Sequence, residues 1–118
     1  MSDSIECNVV LAKCSKTQIL FGIRVEKRGK GWVMTWAFPL DEKRAKNEGF
    51  DKNTVNIIGT APEYPGCPYC KKPSFAMCRC QKMGCIDPSK TLKYKCPWCG
   101  RKETLVMVEE INASGGGY

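Results

Sequence analysis

Residues 67–70 read CPYC, and residues 96–99 read CPWC. Two Cys-x-x-Cys pairs separated by residues 71–95 are typical of a zinc ribbon, in which two tight turns face each other across one metal ion. Two intervening residues let both thiolates of a pair point at one ion, and the proline after the first cysteine restricts the turn. The pattern therefore predicts a first metal site, with four thiolate ligands. These ligands are Cys67, Cys70, Cys96 and Cys99.

The first pair, taken alone, is also typical of a dithiol redox centre. In such centres the first cysteine lies at a helix N-terminus, which lowers its pKa. Here KKPSF follows the pair, and Pro73 would break a helix in its first turns. The pattern therefore favours a metal site over redox chemistry at this pair.

The chemistry available to this chain is narrow, because the sequence contains no histidine. Mixed Cys/His coordination and histidine general-base catalysis are therefore excluded. Four thiolates around one ion also leave no coordination position open for water, so Lewis-acid catalysis at the first site is not expected. We predict that the protein is not an enzyme.

Three further cysteines lie between the two pairs, and they are Cys78, Cys80 and Cys85. We predict a hairpin with strands over 74–80 and 85–87, in which Cys80 faces Cys85 and the three thiols share one side. A fourth ligand from Cys14 or Asp87 would complete a second metal site, and Cys14 is preferred because only Cys7 is then left over. The alternative is that these thiols line the core as small hydrophobic side chains.

Zinc is the expected cofactor, with one ion at the first site and a second ion if the other four thiols bind metal. Spacing alone does not separate zinc from iron, because similar paired cysteines hold a single iron in rubredoxin-type sites. Four thiolates around one divalent ion carry a charge of −2. The formal net charge of +7 would therefore fall to about +5 with one site and about +3 with two. The basic composition indicates an acidic partner only weakly.

The N-terminal segment does not resemble a targeting signal. MSDSIECNVV has no basic start followed by an apolar run, and no stretch of the sequence approaches the roughly 18 apolar residues of a membrane span. We therefore expect a cytoplasmic protein that does not bind a membrane. In that reducing compartment nine cysteines favour thiolate ligands or reactive thiols over disulfides.

Alternating hydrophobic residues predict a β-hairpin in the first half. Residues 19–26 and 32–38 have strand periodicity, and KRGKG (27–31) between them carries two glycines typical of a turn. Strict alternation would place four side chains of the second strand on one face, namely Trp32, Met34, Trp36 and Phe38. Asp41 is placed to N-cap a short helix that Gly49 ends.

Two more strands are predicted, over 54–60 and 105–111, and the glycine-rich tail is expected to be flexible. We therefore predict a mainly β fold of the small α+β class. A β-hairpin with one short helix would pack beside a zinc ribbon with two cysteine knuckles. The predicted divisions are residues 1–63 for the hairpin and helix, 64–112 for the ribbon and 113–118 for the tail.

Four stretches together resemble the C-terminal metal-binding domain of the TerY family of tellurite-resistance proteins. They are TWAFPLDEKRAKNEGFDK (35–52), YPGCPYC (64–70), FAMCRCQKMGC (75–85) and CPWCG (96–100). The resemblance covers about residues 13–100 and implies a zinc-ribbon-like accessory module. The family's cysteine pattern falls on Cys67, Cys70, Cys78, Cys80, Cys85, Cys96 and Cys99. One departure is that Lys71 and Lys72 stand where the family commonly has glycine, and a positive φ there would strain the turn.

The resemblance also implies partners. In that family the module accompanies a von Willebrand A domain and is associated with kinase and phosphatase partners in stress-response systems. This sequence lacks the D-x-S-x-S motif of a von Willebrand A domain. We therefore predict a metal-binding module that docks protein partners.

Two other functions stay open at this stage. Eight lysines and arginines in the ribbon would suit a nucleic-acid-binding protein; they are Lys71, Lys72, Arg79, Lys82, Lys93, Lys95, Arg101 and Lys102. A thiol redox switch or metal sensor would instead use Cys78, Cys80 and Cys85.

Overall fold

The central β-hairpin forms where the sequence alternates. The structure is a computed structural model, and it describes residues 6–29, 31–49, 54–78, 80, 82–104 and 111–114. Strands β2 (Leu20–Arg28) and β3 (Gly31–Pro39) pair antiparallel. The predicted hairpin is therefore confirmed.

Most of the described strands join one sheet. Outside the hairpin, its strands are β1 (Cys7–Lys13), β4 (Thr54–Thr60), β5 (Ser74–Met77), β6 (Met83–Ile86) and β9 (Ile111–Ser114). The sheet has seven strands in the order β5-β6-β1-β2-β3-β4-β9, while β7 (Lys93–Lys95) and β8 (Lys102–Thr104) form a separate two-stranded ribbon. With one short helix among the described residues, this is the mainly β, small α+β fold that the sequence predicts.

The large sheet crosses the boundary predicted at residue 63. Strand β6 pairs in parallel with β1 through Ala12↔Met83, and β9 pairs antiparallel with β4. The two predicted units therefore share a sheet. Residues 113 and 114, predicted as tail, belong to β9; residues 105–110 of the predicted closing strand and residues 115–118 lie outside the described residues.

A β-bulge in β3 changes which side chains face the core. Arg24 pairs with Trp36, but the next residue, Val25, pairs with Met34, so Thr35 has no partner of its own in the ladder. An extra residue in one strand reverses the alternation beyond it. Met34 is consequently fully buried, whereas Trp36 is 51% exposed on the opposite face. The expectation that Trp36 shares a face with Met34 is wrong for this reason.

The helix covers one end of the face opposite the main core. It spans Glu42–Asn47, and the Asp41 side chain accepts a hydrogen bond of 2.7 Å from the Arg44 backbone N–H, as expected for an N-cap. Ala45 packs there with Leu11, Leu20 and Leu40. No helix in the described part of the chain is long and apolar enough to cross a membrane.

The cysteine-rich hairpin has a different register from the predicted one. Strands β5 and β6 pair through Phe75↔Cys85 and Met77↔Met83, and the Cys78 N–H donates to the Lys82 carbonyl at 3.1 Å. Cys80 therefore lies in the turn and does not face Cys85. The reason is that β6 begins at Met83, whose fully buried side chain belongs to the main core.

Three turns present cysteines with the same backbone hydrogen bonds, and we call them knuckles 1, 2 and 3. They begin at Cys14, Cys67 and Cys96. In each, the cysteine N–H donates to the carbonyl five residues later, and its carbonyl accepts from the N–H four residues later, at distances of 2.7–3.0 Å. The fifth residue of each knuckle has positive φ, with values of 61° at Gln18, 68° at Lys71 and 79° at Gly100.

We predict that Lys71→Gly stabilises the fold. A non-glycine residue in the left-handed region carries a penalty of about 1–2 kcal/mol, which is partly offset because glycine loses about 0.5–1 kcal/mol more backbone entropy on folding. We therefore expect the free energy of unfolding, measured in urea at fixed zinc concentration, to rise by about 0.5–1 kcal/mol.

Lys71→Ala is the matched control, because it removes the charge and keeps the Cβ atom. An equal gain in both variants would contradict the explanation from backbone strain. Gly100→Ala should act in the opposite direction and lower the free energy of unfolding by about 1 kcal/mol.

Candidate metal centres

The first cluster of sulfurs, which we call site A, combines residues that are distant in the sequence. Its members are Cys14, Cys67, Cys70 and Cys85, whose sulfurs all lie within 4.8 Å of one another. Cys14 begins knuckle 1 and the pair Cys67 and Cys70 belongs to knuckle 2, while Cys85 comes from β6. Site A therefore connects the first half of the chain with the second.

The second cluster, site B, is more local. Its members are Cys78, Cys80, Cys96 and Cys99, again with all four sulfurs within 4.8 Å. The first two lie at the turn between β5 and β6, and the last two in knuckle 3, between β7 and β8. Site B therefore joins two neighbouring turns of the second half.

The eight predicted ligands are the eight cysteines of the two sites, but their division differs from the prediction. Cys67 and Cys70 lie with Cys14 and Cys85, and they do not share a cluster with Cys96 and Cys99. The predicted second group is also divided, because Cys78 and Cys80 join knuckle 3. The two CPxC turns thus face different partners and do not form one ribbon site.

Strand pairing explains this division. The parallel register of β1 and β6 ends at Lys13↔Gly84. The next residues are Cys14, directly after β1, and Cys85, within β6. Their sulfurs therefore come together at a distance of 4.0 Å. At the last pair of this register, residue 84 has no room for a side chain, because a Cβ there would collide with the Tyr94 hydroxyl. The contact between Cys14 and Cys85 joins strands far apart in sequence, so Cys-x-x-Cys spacing does not reveal it.

Asp87, the alternative fourth ligand, and Cys7, the cysteine left over, lie outside both sites. Asp87, considered as a fourth ligand, accepts hydrogen bonds from the backbone N–H and the hydroxyl of Ser89 within its own turn. Cys7 is exposed, and its sulfur accepts a hydrogen bond of 2.9 Å from Arg24 Nη2. Within the described ranges, neither residue belongs to a cluster that could hold a metal.

The sulfur separations fit a tetrahedral metal ion. With Zn–S bonds of about 2.3 Å, the ligand sulfurs of a tetrathiolate site lie about 3.8 Å apart. In site A, the Cys70 and Cys85 sulfurs are 3.4 Å apart. In site B, the separations are 3.5 Å for Cys78 and Cys99 and 3.7 Å for Cys80 and Cys96. Both donor sets therefore fit a thiophilic divalent ion such as zinc.

Backbone N–H groups point at several of these sulfurs. Ser15 donates to Cys85 Sγ at 3.2 Å, Thr17 to Cys14 Sγ at 3.4 Å, and Trp98 to Cys96 Sγ at 3.4 Å. Such outer hydrogen bonds orient metal ligands and stabilise their negative charge. Both sites thus have the surroundings that thiolate ligands require.

The thiols of each site differ in acidity. Burial raises the pKa of Cys67 to about 12, and burial also raises the pKa of Cys78, Cys80 and Cys85. For Cys14, burial acts in the same direction, but hydrogen bonds from Thr17 and Lys16 outweigh it and lower the pKa to about 6. The Arg101 N–H and Cys78 lower the pKa of Cys99 to about 7. Each site therefore combines a sulfur of lowered pKa with sulfurs of raised pKa, and metal binding must release protons from the latter.

The aromatic residues of the two CPxC turns hold these turns against the sheet. The Tyr69 hydroxyl donates to the Leu20 carbonyl at 2.7 Å, and Trp98 Nε1 donates to the Met83 carbonyl at 2.8 Å. The Lys13 and Lys82 ammonium groups lie 4.4 Å and 5.0 Å from the centre of the Trp98 ring. These contacts fix the positions of the knuckles whether or not the ligands are ionised.

Sequence reasoning missed knuckle 1, although it supplied Cys14 as a candidate. In this turn Thr17 occupies the position that the second cysteine has in the CPxC turns, and its hydroxyl accepts a hydrogen bond from the Ile19 N–H. A Cys-x-x-Cys search therefore does not find it. The signal that could have found it is Cys14 followed by a short polar turn, SKTQ, before a strand.

Comparison with known proteins supports metal binding by this chain. No match was found among curated proteins or among solved structures. Residues 30–116 match the family model of the TerY-C metal binding domain, which is most of the chain. The chain therefore belongs to the TerY-C metal binding domain family.

Proposed function

We propose that this chain is a non-enzymatic module that binds two zinc ions and docks protein partners in the bacterial cytoplasm. By resemblance, those partners are von Willebrand A, kinase or phosphatase proteins of a stress-response or tellurite-resistance-type signalling system. The observation that carries the proposal is the gathering of eight cysteine sulfurs into two groups of four. Four thiolates close the coordination shell of zinc, which is typical of a structural site.

The position of site A supports a structural role for the metal. Its sulfurs connect knuckle 1, knuckle 2 and β6, so one ion would add a cross-link to the strand pairing, core packing and hydrogen bonds that already join these segments. Structural zinc contributes its binding free energy directly to folding. A chain of 118 residues with many cysteines among its hydrophobic residues would depend on that contribution.

Double cysteine variants test the division of ligands. We expect two zinc ions per wild-type chain and one in Cys67→Ser or Cys96→Ser, because each variant loses a ligand of one site. Cys67→Ser with Cys96→Ser should bind none, since the two substitutions damage different sites. The matched control, Cys96→Ser with Cys99→Ser, should retain one ion because both substitutions fall in site B.

Elemental analysis and native mass spectrometry of the same samples give the count. One ion in the Cys67→Ser, Cys96→Ser variant would contradict the division into sites A and B and restore the single ribbon site. No metal in the wild-type chain would refute the proposed function.

Two exposed hydrophobic side chains of the large sheet support protein docking. Trp36 in β3 is 51% exposed, and Ile58 in β4 is 41% exposed beside Gly31. Beside Trp36, Arg24 forms an ion pair of 2.7 Å with Glu26, which in turn pairs with Arg28 at 2.9 Å. A central aromatic residue with paired charges beside it is a common arrangement in protein interfaces.

Trp36→Ala tests docking. In an affinity purification from a related bacterium, we expect the wild-type chain to recover a von Willebrand A, kinase or phosphatase protein. Buried interface tryptophans often contribute 2 kcal/mol or more, so Trp36→Ala should weaken that binding by about 30-fold. Leu92→Ala is the control because Leu92 is similarly exposed, at 43%, beside the two-stranded ribbon. Recovery of none of these three protein classes would contradict docking.

One observation favours nucleic-acid binding as a second candidate. Lys95 lies directly opposite Lys102 in the two-stranded ribbon, and Lys93 precedes it on the same strand. Like charges facing each other across strands destabilise a sheet unless an anion neutralises them. Phosphate groups of a nucleic acid would supply that anion.

A gel retardation assay separates this candidate from protein docking. If nucleic acid is the ligand, retardation should fall steeply with salt and weaken in Lys95→Gln with Lys102→Gln. The control is Lys43→Gln with Lys46→Gln, which removes the same charge from the helix. No retardation at low salt would eliminate this candidate.

A further inference from the structure

The two metal sites differ in how far their sulfurs are exposed to solvent. In site A, Cys14 and Cys67 are 0% exposed and Cys85 is 1% exposed, while Cys70 is half-buried. In site B, Cys80 and Cys99 are exposed. Thiolates react with oxidants and electrophiles only where these can reach the sulfur. Site B therefore has two solvent-exposed cysteine residues, of which Cys99 is the more open, whereas site A has none.

The charged groups beside the two sites also differ. At site A, the Lys72 ammonium donates to the Ser15 hydroxyl at 2.9 Å, and that hydroxyl lies 3.3 Å from Cys85 Sγ. A positive charge is thus linked to a site that becomes negative when its thiols ionise. At site B, a Glu103 carboxylate oxygen lies 3.6 Å from Cys78 Sγ. The Cys78 thiol donates a hydrogen bond to this oxygen while it is protonated, and the carboxylate places a negative charge beside the thiolate when it is ionised.

The structural consequences of losing the two sites differ as well. Site A connects knuckle 1 to knuckle 2 and β6, across the parallel pairing of β1 with β6. Site B connects only the turn between β5 and β6 with knuckle 3. The backbone hydrogen bonds of knuckle 3, from Cys96 N to Arg101 O and from Gly100 N to Cys96 O, do not involve sulfur. Site B can therefore open while the large sheet persists.

We propose that site B is a reversible modification site for peroxides, and that site A keeps its metal as a permanent cross-link. This proposal rests on the proposed function, because it assigns different roles to the two zinc sites. Hydrogen peroxide is the oxidant, and the exposed Cys99 is the group that reacts first.

The reaction balances with peroxide as the oxidant. The Cys99 sulfur attacks one oxygen of hydrogen peroxide; an S–O bond forms, the O–O bond breaks and hydroxide leaves. A second site B thiolate attacks the oxidised sulfur; an S–S bond forms, the S–O bond breaks and a second hydroxide leaves. The sulfurs lose two electrons, and two protons from solvent convert the hydroxides to water.

Such a disulfide is within reach, because all four site B sulfurs lie within 4.8 Å of one another. With two of its four thiolates oxidised, the site no longer holds the ion. A dithiol reductant returns both thiolates and allows metal to bind again. The zinc occupancy of site B would thus fall when peroxide is present and recover when the disulfide is reduced.

Stepwise addition of hydrogen peroxide to the two-zinc protein tests this assignment. A chromogenic chelator follows zinc release, circular dichroism follows the sheet, and alkylation with peptide mapping identifies the oxidised cysteines. We expect one zinc per chain to leave at least tenfold faster than the other. Its release should coincide with a disulfide among Cys78, Cys80, Cys96 and Cys99, with the sheet signal retained and the zinc restored by dithiothreitol.

Two variants examine the charged neighbours. Glu103→Gln should slow release of the first zinc several-fold, because it removes the negative charge beside Cys78. The control is Glu63→Gln, since Glu63 is an exposed carboxylate whose nearest ion-pair partner, Arg28, lies 4.0 Å away; its rate should match the wild type. Ser15→Ala should speed release of the second zinc, because it breaks the link between Lys72 and Cys85.

A failure of the assignment to site B can be distinguished from a failure of the proposed function. A starting protein without two zinc ions would refute the two-site module itself. With two ions bound at the start, simultaneous loss of both ions, earlier oxidation of the site A cysteines, or equal rates in Glu103→Gln and the wild type would overturn the assignment to site B.

Discussion

The parallel pairing of β1 with β6 is the contact on which the rest of the structure depends. It places Cys14 beside Cys85 and makes site A a junction between the two halves of the chain. It also inserts Met83 into the main core, which ends the β5–β6 hairpin early and leaves Cys78 and Cys80 in a turn. Because those two cysteines lie outside the strands, they can meet knuckle 3. The division of eight thiols into two groups thus follows from one strand register.

Local patterns predict the parts of the fold that local interactions determine. The hairpin of β2 and β3, the helix capped by Asp41 and the strand over 54–60 follow from periodicity and turn residues. The bulge at Thr35 does not follow, because nothing in an alternating sequence marks the residue that is left unpaired. Trp36 therefore lies on the opposite face from the one that strict alternation predicts.

The candidate ligands could be predicted, but their division could not. Residue type and the reducing compartment expected from the sequence predict cysteines as thiolate ligands, and eight ligands for two ions require Cys14. CPYC and CPWC were predicted to form one site because two pairs with similar sequences are expected to bind the same ion. In the structure they are alike because both are knuckles, and a third knuckle at Cys14 has the same hydrogen bonds with threonine as its fourth residue. The shared backbone hydrogen bonds determine the conformation of each cysteine turn, whereas strand pairing determines which cysteines lie close together.

The two thiolate clusters of this chain lie in different surroundings. Every tetrathiolate site adds about two negative charges when a divalent ion binds, and these charges must be screened or neutralised. Site A is mostly buried beside the Ser15 hydroxyl and the Lys72 ammonium, so one positive charge partly offsets its negative charge. Site B has a carboxylate neighbour and leaves Cys80 and Cys99 in contact with water, so solvent carries more of the screening. The same set of four cysteines therefore lies in two different environments, and burial and neighbouring charge make the difference.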